Sequence, residues 1–577
     1  MAELRRLLIA NRGEIAVRVI RACREVGVSA VVAVVAAERE TMAASLADTA
    51  VEVPSYMDAV ALVRAATEAG ADSVHPGYGF LAEDPAFASL VLEAGLRWVG
   101  PPPEAMRTLG DKMAARSVAQ RTGVPVVPGI SSDDLSDEAL AREARGLGTP
   151  LLVKAAAGGG GRGMRTVTDH DDLESALAAA RQEATASFGD GRVFVERRLG
   201  NVHHVEVQVL LDDHGNAVHL GERDCSLQRR HQKIVEESPS PVVDDAQRSA
   251  LGEASIAIAT AAGYRGAGTA EFLLAGDGAW WFLEMNTRLQ VEHPVTEAVA
   301  GIDLVRAQLA IAAGEPMGLA QADVALRGHA IEARVYAEDP ANGFLPADGR
   351  VELLDLPHLP GVRIDTALRQ GDRVGLGFDP LLAKVIVWAE DRPSAVARLA
   401  AALGQVKIVG LATNLGFLLD VLEQADVRAG TAGTDWIETR WTPQVPALPD
   451  GVHAAGDPAD PWTSFGPHAA SADAAVAVAD GHAQYRGWAY RLVDDELGAT
   501  DLAAPGGSLV APMPATVLGI DVEPGDAVAL GQVVAQLEAM KIQVQISAPA
   551  SGIVRAVHVR AGDVVARGDT LIEVEEP

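Results

Sequence analysis

The sequence has little cysteine, a shortage of positive charge and no long apolar run. Cys23 and Cys225 are the two cysteines, too few for a disulfide framework or a cysteine-based zinc site. The chain has 48 basic and 79 acidic residues. Its formal net charge of −31 argues against non-specific binding to nucleic acid or anionic membranes. We find no stretch suited to a signal peptide core or a membrane span. These features predict a soluble, cytoplasmic protein.

The overall composition is that of a folded protein with several domains. Hydrophobic residues make up 48% and charged residues 22% of the chain, which are ordinary globular proportions. A chain of 577 residues is too long for one ordinary domain, so we expect about three to five.

An internal repeat near the C-terminus predicts a small β-sandwich. Ala511-Pro512 recurs as Ala548-Pro549, an offset of 37 residues, and the valines between keep that offset without a gap. We expect the valines to face a core and Pro524-Gly525-Asp526 to form a turn. Lys541 lies between the two copies, in Glu538-Ala539-Met540-Lys541. A hairpin that links symmetric halves would push this lysine outward, where it could carry a mobile group.

The N-terminal region has the pattern of a parallel α/β unit. Residues 7–10 form an apolar strand, 11–14 a tight turn, and the apolar residues that follow have helical spacing. Further apolar strands end near residues 35 and 75. Because ligands bind at the carboxyl ends of parallel strands, His75-Pro76-Gly77-Tyr78-Gly79-Phe80 is a candidate binding segment, although its glycines could serve only a turn.

A glycine-rich segment after a strand suggests a phosphate-binding loop. Lys154 ends an apolar strand just before the four consecutive glycines at 158–161. Such a run stabilises neither helix nor strand, but its bare amides can close over phosphate oxygens. The spacing of a Walker loop is absent, and a plain flexible linker is the alternative.

Carboxylates on two later strands suggest a metal site. Glu271 and Glu284 each fall near the end of a strand, and Asn286 lies beside the second. An all-oxygen set of this kind suits magnesium. Together with the glycine-rich segment, it favours a nucleotide-dependent enzyme.

Long collinear runs between residues 7 and 441 resemble the biotin carboxylase component of biotin-dependent carboxylases, an ATP-grasp ligase. The runs are 10–16, 75–80, 158–164, 222–233, 284–297 and 328–334, and Arg288-Leu289-Gln290-Val291-Glu292-His293-Pro294 is especially specific. The C-terminal segment resembles the biotinyl domain of the same enzymes, with Ala539-Met540-Lys541 matching its attachment site.

The resemblance implies a multidomain α/β protein followed by an all-β, lipoyl-like domain. The expected parts are a Rossmann-like domain (1–115), an ATP-grasp domain (116–325) with a glycine-loop lid (about 126–198), a carboxylase C-terminal domain (326–442), a linker (443–508) and a biotinyl domain (509–577). The aromatic cluster around Trp488 favours a small β docking element within the linker over an inert tether.

The resemblance also implies a role for each matched residue. ATP would be bound by Lys112, Lys154, Gly160, Gly161, Glu196, Leu199, His204, Gln228 and His231. Magnesium or manganese would be held by Glu271, Glu284 and Asn286. Bicarbonate would be bound by Lys233, Arg288, Gln290, Val291 and Glu292, with Glu292 as base, while Arg334 binds biotin and Lys541 carries it covalently.

The implied reaction is ATP-dependent carboxylation of biotin by bicarbonate. The chain contains no carboxyltransferase sequence, so a separate β subunit should transfer the carboxyl group to an acyl-CoA within a hetero-oligomer. A biotin protein ligase should load Lys541. Two alternatives remain open: a urea or pyruvate acceptor, or a lipoyl-type carrier fused to an unrelated ATP-grasp ligase.

Overall fold

The computed structural model describes residues 4–131, 136–156, 164–448, 476–479, 481–491, 508–511, 515–539, 542–548, 550–565 and 568–575. Three predicted site residues, Gly160, Gly161 and Lys541, lie outside these ranges. Within them, no helix is both long and apolar enough to cross a bilayer.

The first part of the chain folds around a five-stranded parallel sheet with the order β3-β2-β1-β4-β5. Its elements are β1 (Arg6–Ile9), α1 (Gly13–Glu25), β2 (Ser29–Val34), α2 (Met42–Leu46), β3 (Thr49–Glu52), α3 (Ala59–Glu68), β4 (Ser73–His75), α4 (Pro85–Glu93), β5 (Arg97–Trp98), α5 (Pro103–Gly110) and α6 (Lys112–Arg121). Helices cover both faces of a parallel sheet, which explains why its strands read as continuous apolar runs.

The candidate binding segment after β4 is tied to the turn after β1. The Asn11 side chain donates to the carbonyls of Pro76, at 2.6 Å, and Tyr78, at 2.8 Å. A Cβ on Gly77, which has φ +64°, would lie 2.8 Å from Asn11 Nδ2. The glycine at this position is therefore required by close packing as well as by backbone conformation.

A small antiparallel sheet with the order β6-β9-β7-β8 follows. Its elements are β6 (Gly129–Ile130), α7 (Asp137–Ala144), β7 (Leu151–Ala155), β8 (Arg165–Val167), α8 (Leu173–Phe188) and β9 (Val193–Arg197). Two helices pack on it around a separate apolar core that includes Leu140, Val153 and Leu177. This unit coincides with the segment predicted to be a lid.

The largest sheet is antiparallel and has eight strands, in the order β14-β13-β10-β11-β12-β15-β22-β20. Its first part contains β10 (Val202–Leu211), β11 (Ala217–Arg229), β12 (Gln232–Ser238), α9 (Asp245–Ala261), β13 (Gly266–Ala275), β14 (Trp280–Asn286), α10 (His293–Ala300) and α11 (Leu304–Ala312).

The second part of the chain that builds this sheet begins with β15 (His329–Tyr336). It continues with β16 (Glu338–Asp339), β17 (Leu345–Pro346), β18 (Gly349–Arg350), β19 (Leu353–Asp355), β20 (Val362–Thr366), β21 (Arg373–Val374), β22 (Leu381–Ala389), α12 (Arg392–Gln405), β23 (Lys407–Val409), α13 (Leu415–Glu423), α14 (Ala425–Ala429) and α15 (Trp436–Arg440). The pairing of β12 with β15 carries one hydrogen-bonded sheet across residue 325, where sequence reasoning places a domain boundary.

A three-stranded sheet lies within the segment that joins the carboxylase-like region to the C-terminal region. It consists of β24 (Val476–Ala479), β25 (His482–Tyr485) and β26 (Trp488–Arg491). Gln484 on β25 bonds to the backbone beside and within β23, accepting from the Ile408 amide at 2.8 Å and donating to the Val406 carbonyl at 2.8 Å. Trp488 is buried close to Gly416, where a Cβ would lie 2.5 Å from the indole ring. The sheet is thus packed against the carboxylase-like region of its own chain, and its role in docking a partner stays a prediction.

The C-terminal region is the expected pseudo-symmetric sandwich. Its strands are β27 (Ser508–Val510), β28 (Ala515–Ile520), β29 (Ala527–Val528), β30 (Val533–Ala539), β31 (Ile542–Ser547), β32 (Gly552–Val557), β33 (Val564–Val565) and β34 (Thr570–Glu575). Its two sheets have the orders β27-β34-β32-β29 and β31-β30-β28-β33, which the 37-residue offset interconverts. Val517 and its repeat partner Val554 are each 1% exposed, as the repeat predicts.

We predict that Trp488→Ala will detach the three-stranded sheet from the carboxylase-like region. Truncating a buried Trp costs about 3–5 kcal/mol. An opening equilibrium shifted by about 3 kcal/mol would speed exchange of the Ile408 amide, which Gln484 protects, by about a hundredfold. Native-state hydrogen exchange would measure this, with Arg486→Ala, at an exposed position in the turn between β25 and β26, as control. Unchanged protection of Ile408 in Trp488→Ala would contradict the role of Trp488 in holding this sheet against the carboxylase-like region.

Candidate active site

The ammonium group of Lys233 is shared by three buried carboxylates at the centre of the eight-stranded sheet. It contacts Glu206, lies 2.8 Å from Glu271 Oε1 and lies 2.7 Å from Glu292 Oε1. Burial favours the neutral amine, but the three carboxylates outweigh burial and hold the pKa of Lys233 well above its ordinary value. Lys233 is therefore a fixed positive charge.

Arg223, on β11, is a second buried cation that sequence reasoning did not select. Its guanidinium group is fully buried and donates to Glu206 at 2.5 Å and to Gln290 at 2.8 Å. It also donates to Gln208, Thr296 and Thr269, at 2.9, 2.8 and 3.2 Å. The available signal was the alternation Val205-Glu206-Val207-Gln208-Val209, whose polar positions inside an apolar strand require a buried partner.

Glu292 is held between Lys233 and Arg334. One carboxylate oxygen lies 2.7 Å from Lys233 Nζ and the other 3.0 Å from Arg334 Nη2. Burial raises the pKa of the Glu292 carboxyl, but Lys233, Arg334 and Arg223 together hold it below its ordinary value. Glu292 is thus ionised at neutral pH, and it can accept the proton of an acidic O–H group placed beside it.

Arg334 is shared between two glutamates. Its Nε donates to Glu236 Oε1 at 2.5 Å, and the side chain reaches Tyr336 Oη at 3.3 Å. The pKa of Glu236 is raised to about 7, chiefly by burial, although Arg334 lowers it. The contacts of Arg334 extend across the pairing of β12 with β15, where the two parts of the large sheet meet.

The donor set predicted to bind metal lies next to this cluster. Glu271 and Glu284 are direct cross-strand partners on β13 and β14, and Asn286 Nδ2 lies 2.8 Å from Glu271 Oε1. Lys233 and His204 hold the pKa of Glu271 well below its ordinary value against the effect of burial, so it is ionised as a ligand must be. Two adjacent carboxylates and an amide fit a hard cation such as magnesium.

Other groupings of potential ligands are less suited to a metal. His204, Glu206 and Glu271 come within 4.8 Å of one another, as do Glu206, Cys225 and Glu292. However, Lys233 contacts Glu206 together with Glu271 and Glu292. The same ammonium group also contacts Glu271 of the Glu271–Glu284 pair, so its charge does not separate the candidates. The two groupings include an imidazole and a thiol, whereas Glu271, Glu284 and Asn286 offer only oxygen ligands and are the better candidate set for magnesium.

Three of the predicted nucleotide-binding residues, Lys112, His204 and Gln228, lie beside this cluster or the metal candidates. Lys112 Nζ is 3.3 Å from Glu284, and Lys154 forms an ion pair with Glu196 on the neighbouring strand β9. His204 Nε2 is 2.9 Å from Glu271, and Gln228 is paired with Lys233 between β11 and β12. His231 occupies the tight turn between those strands with φ +64°, while Leu199 lies partly exposed after β9.

Two of the predicted bicarbonate-binding residues, Gln290 and Arg288, have different hydrogen-bond partners. Gln290 donates to Glu271 Oε1 at 3.1 Å and accepts from Arg223. Arg288, by contrast, donates to Glu83 of the N-terminal region at 3.0 Å and to Asn286 Oδ1 at 3.2 Å. Arg288 therefore borders the metal candidates, and Glu292 is among the charges that raise its pKa.

Four family models match the chain in succession. They are described as biotin carboxylase, N-terminal domain (residues 3–106), carbamoyl-phosphate synthase L chain, ATP binding domain (111–320), biotin carboxylase C-terminal domain (332–439) and biotin-requiring enzyme (507–574).

Curated relatives include proteins that match part or all of the chain. The rat methylcrotonoyl-CoA carboxylase subunit alpha is 47% identical over 75% of this chain, which spans 61% of that relative's length. Biotin carboxylase of Halalkalibacterium halodurans is 45% identical over 75% of this chain and 97% of its own. The biotin-dependent acyl-coenzyme A carboxylase alpha3 subunit of Mycobacterium leprae is 40% identical over 100% of this chain and 99% of its own.

Solved structures resemble the carboxylase-like region. The biotin carboxylase domain of Hydrogenobacter thermophilus 2-oxoglutarate carboxylase, in complex with MgADP, ADP and bicarbonate, is 41% identical with a TM-score of 0.74, covering 76% of this chain and 98% of its own. The biotin carboxylase–beta-gamma-ATP complex from Campylobacter jejuni is 41% identical with a TM-score of 0.74, covering 76% of this chain and 99% of its own. The chain belongs to the biotin-dependent acyl-CoA carboxylase α subunits, in which a biotin carboxylase and a biotin-attachment domain share one polypeptide.

Proposed function

We propose that this chain uses ATP and bicarbonate to carboxylate biotin carried on its own Lys541, as the α subunit of an acyl-CoA carboxylase. The observation that carries the proposal is the position of Glu292. Its two oxygens face Lys233 and Arg334, and Lys233 also contacts Glu271 of the metal candidates. A bicarbonate group and a nucleotide phosphate would thereby meet beside a base and fixed cations.

Bicarbonate is a poor electrophile. Attack of its oxygen on the terminal phosphorus of ATP would break the bond to the bridging oxygen, release ADP and convert bicarbonate to carboxyphosphate. A magnesium or manganese ion on Glu271 and Glu284, with Asn286 beside them, would supply positive charge for the transferring phosphate. The ammonium groups of Lys112 and Lys154 would add to that charge from the chain itself. Arg223 orients Gln290, which with Lys233 would hold the bicarbonate anion.

Glu292 would accept the bicarbonate proton as the oxygen attacks phosphorus. Its low pKa reflects the surrounding cations, and the negative charge brought in by bicarbonate and ATP would oppose them and raise that pKa. Glu292 would then be a better base when both substrates are bound than when the site is empty. This would couple proton removal to full occupancy of the site.

Carboxyphosphate would decompose to carbon dioxide and phosphate next to biotin. The phosphate would take the proton from the ureido nitrogen, which then forms the new C–N bond with carbon dioxide. Arg334 would donate to the ureido oxygen as negative charge develops there. Because Arg334 also binds Glu236 and Glu292, its position is set before biotin arrives.

An acyl-CoA acceptor is favoured by the relatives that this chain matches over most or all of its length. The rat methylcrotonoyl-CoA carboxylase subunit alpha, named for an acyl-CoA acceptor, is 47% identical over 75% of this chain. The M. leprae acyl-coenzyme A carboxylase subunit matches it along its whole length. We infer that a separate β subunit accepts the carboxyl group from Lys541-bound biotin and passes it to the acyl-CoA, and that a biotin protein ligase loads Lys541.

Substituting the carrier lysine should separate the two half-reactions. Lys541→Arg should abolish acyl-CoA carboxylation with the β subunit, because arginine cannot be biotinylated. The variant should retain bicarbonate-dependent ATP hydrolysis with free biotin, measured by release of phosphate. Intact mass of the wild-type protein should show the biotin increment, and a lipoyl increment would overturn the assignment. Loss of both activities in Lys541→Arg would instead make the lysine structural.

Neutralising the proposed base should suppress the first step. Glu292→Gln keeps the shape of the side chain but cannot take a proton, so bicarbonate-dependent ATP hydrolysis should fall by about 10²–10⁴-fold. Glu222→Gln is a matched control, since Glu222 is also fully buried on the same sheet and pairs with Arg248 at 2.8 Å. Normal turnover in Glu292→Gln would remove this residue from the proposed role.

A further inference from the structure

Lys384 is a fully buried lysine that none of the proposed steps uses. Its Nζ donates to the carbonyl of Val291 at 2.8 Å and lies 3.1 Å from Glu14 Oε1. A second carboxylate, Asp365, is 3.9 Å away. The side chain is 0% exposed, so the ammonium group is compensated by the carboxylates and the carbonyl dipole rather than by water.

Three separate parts of the chain meet at Lys384. The lysine is on β22, where its cross-strand partners are Arg334 on β15 and Asp365 on β20. Glu14 comes from the first turn of α1, in the N-terminal region. Lys384 is therefore the immediate neighbour, within the sheet, of the arginine that binds Glu292.

The carbonyl that Lys384 binds belongs to the peptide between Val291 and Glu292. Glu292 is the residue that precedes α10 and has φ −82° and ψ 8°, so its side chain leaves the backbone just where the helix begins. Rotating this peptide would redirect the Glu292 carboxylate relative to Lys233 and Arg334. A charged donor holds a carbonyl more firmly than a neutral donor does.

We propose that Lys384 is a positioning residue for bicarbonate activation: it clamps the Val291 carbonyl and thereby aims Glu292. The inference rests on the proposed function, since it concerns the same base. Glu14 and Asp365 retain the ammonium group in place, and Asp365 is itself paired with Arg363 at 2.6 Å. The clamp thus links the start of α1 to the carboxylase centre through one side chain.

The test variant removes the clamp without leaving a strong charge imbalance. Lys384→Met/Glu14→Gln deletes the ammonium group together with its nearest carboxylate, while Asp365 keeps Arg363. Glu14→Gln alone is the matched control, because it leaves the lysine on the Val291 carbonyl. Burial raises the pKa of Glu14 to about 7 even though Lys384 lowers it, so a neutral side chain there is close to a form it takes at neutral pH.

Steady-state ATP hydrolysis with free biotin should show whether Lys384 orients the Glu292 carboxylate or only stabilises the fold. We expect Lys384→Met/Glu14→Gln to lose about 100-fold in kcat/KM for bicarbonate, as a displaced reacting group does. The KM for ATP and the unfolding midpoint should stay close to those of Glu14→Gln. Normal bicarbonate kinetics, or parallel losses in ATP and bicarbonate parameters with reduced folded protein, would overturn the proposal.

A second variant protects the test against misfolding of the first. Lys384→Gln retains an N–H donor on a shorter, neutral side chain, so it should show an intermediate loss in kcat/KM for bicarbonate. Wild-type bicarbonate kinetics in a folded Lys384→Gln would also count against the clamp. Wild-type protein without bicarbonate-dependent ATP hydrolysis would reject the proposed function itself, which separates that failure from failure of the clamp.

Discussion

The site depends on one electrostatic constraint, the burial of Lys233 and Arg223 among carboxylates. Glu206 contacts both cations, and Lys233 is further bound by Glu271 and Glu292. Taking such charges out of water is costly unless each finds its partners, and removing one partner leaves another buried and unpaired. The network therefore requires the registers of β10, β11, β12 and β13, and it holds the carboxylates where phosphate chemistry would need them.

The same constraint explains why the large sheet crosses from one predicted domain into the next. Arg334 and Glu292 are 42 residues apart in sequence, and Arg334 and Glu236 are 98 apart. Pairing β15 with β12 places this arginine beside both glutamates. Lys384 lies on the next strand, β22, opposite Arg334, and its ammonium group contacts Glu14 of α1. The N-terminal region therefore contacts the carboxylase centre without supplying its reacting groups.

Residues that sequence reasoning missed share a physical reason. Arg223 lies in a dense polar run, 222–233, and which of those side chains face inward depends on strand register. That register is interrupted by irregularities between Asp224 and Gln228, which no hydrophobic period reveals. Arg288, which the sequence predicts at bicarbonate, donates to Glu83, Asn286 and Leu289, and Glu292 is among the charges that raise its pKa, so its role at bicarbonate stays a prediction. Lys384 lies in the apolar strand β22, and its sequence neighbours do not show that it binds the Val291 carbonyl.

The amino-acid sequence by itself determined the local features: the repeated β unit, the strand-borne Glu271 and Glu284, and the run that contains Glu292. These follow from periodicity and residue chemistry, which act over a few neighbouring positions. Only the tertiary structure decided which charges meet, because pairing strands far apart in the chain brings Lys233, Arg334 and Lys384 around one short segment. Burial then gives these pairs their strength, since water no longer competes for them.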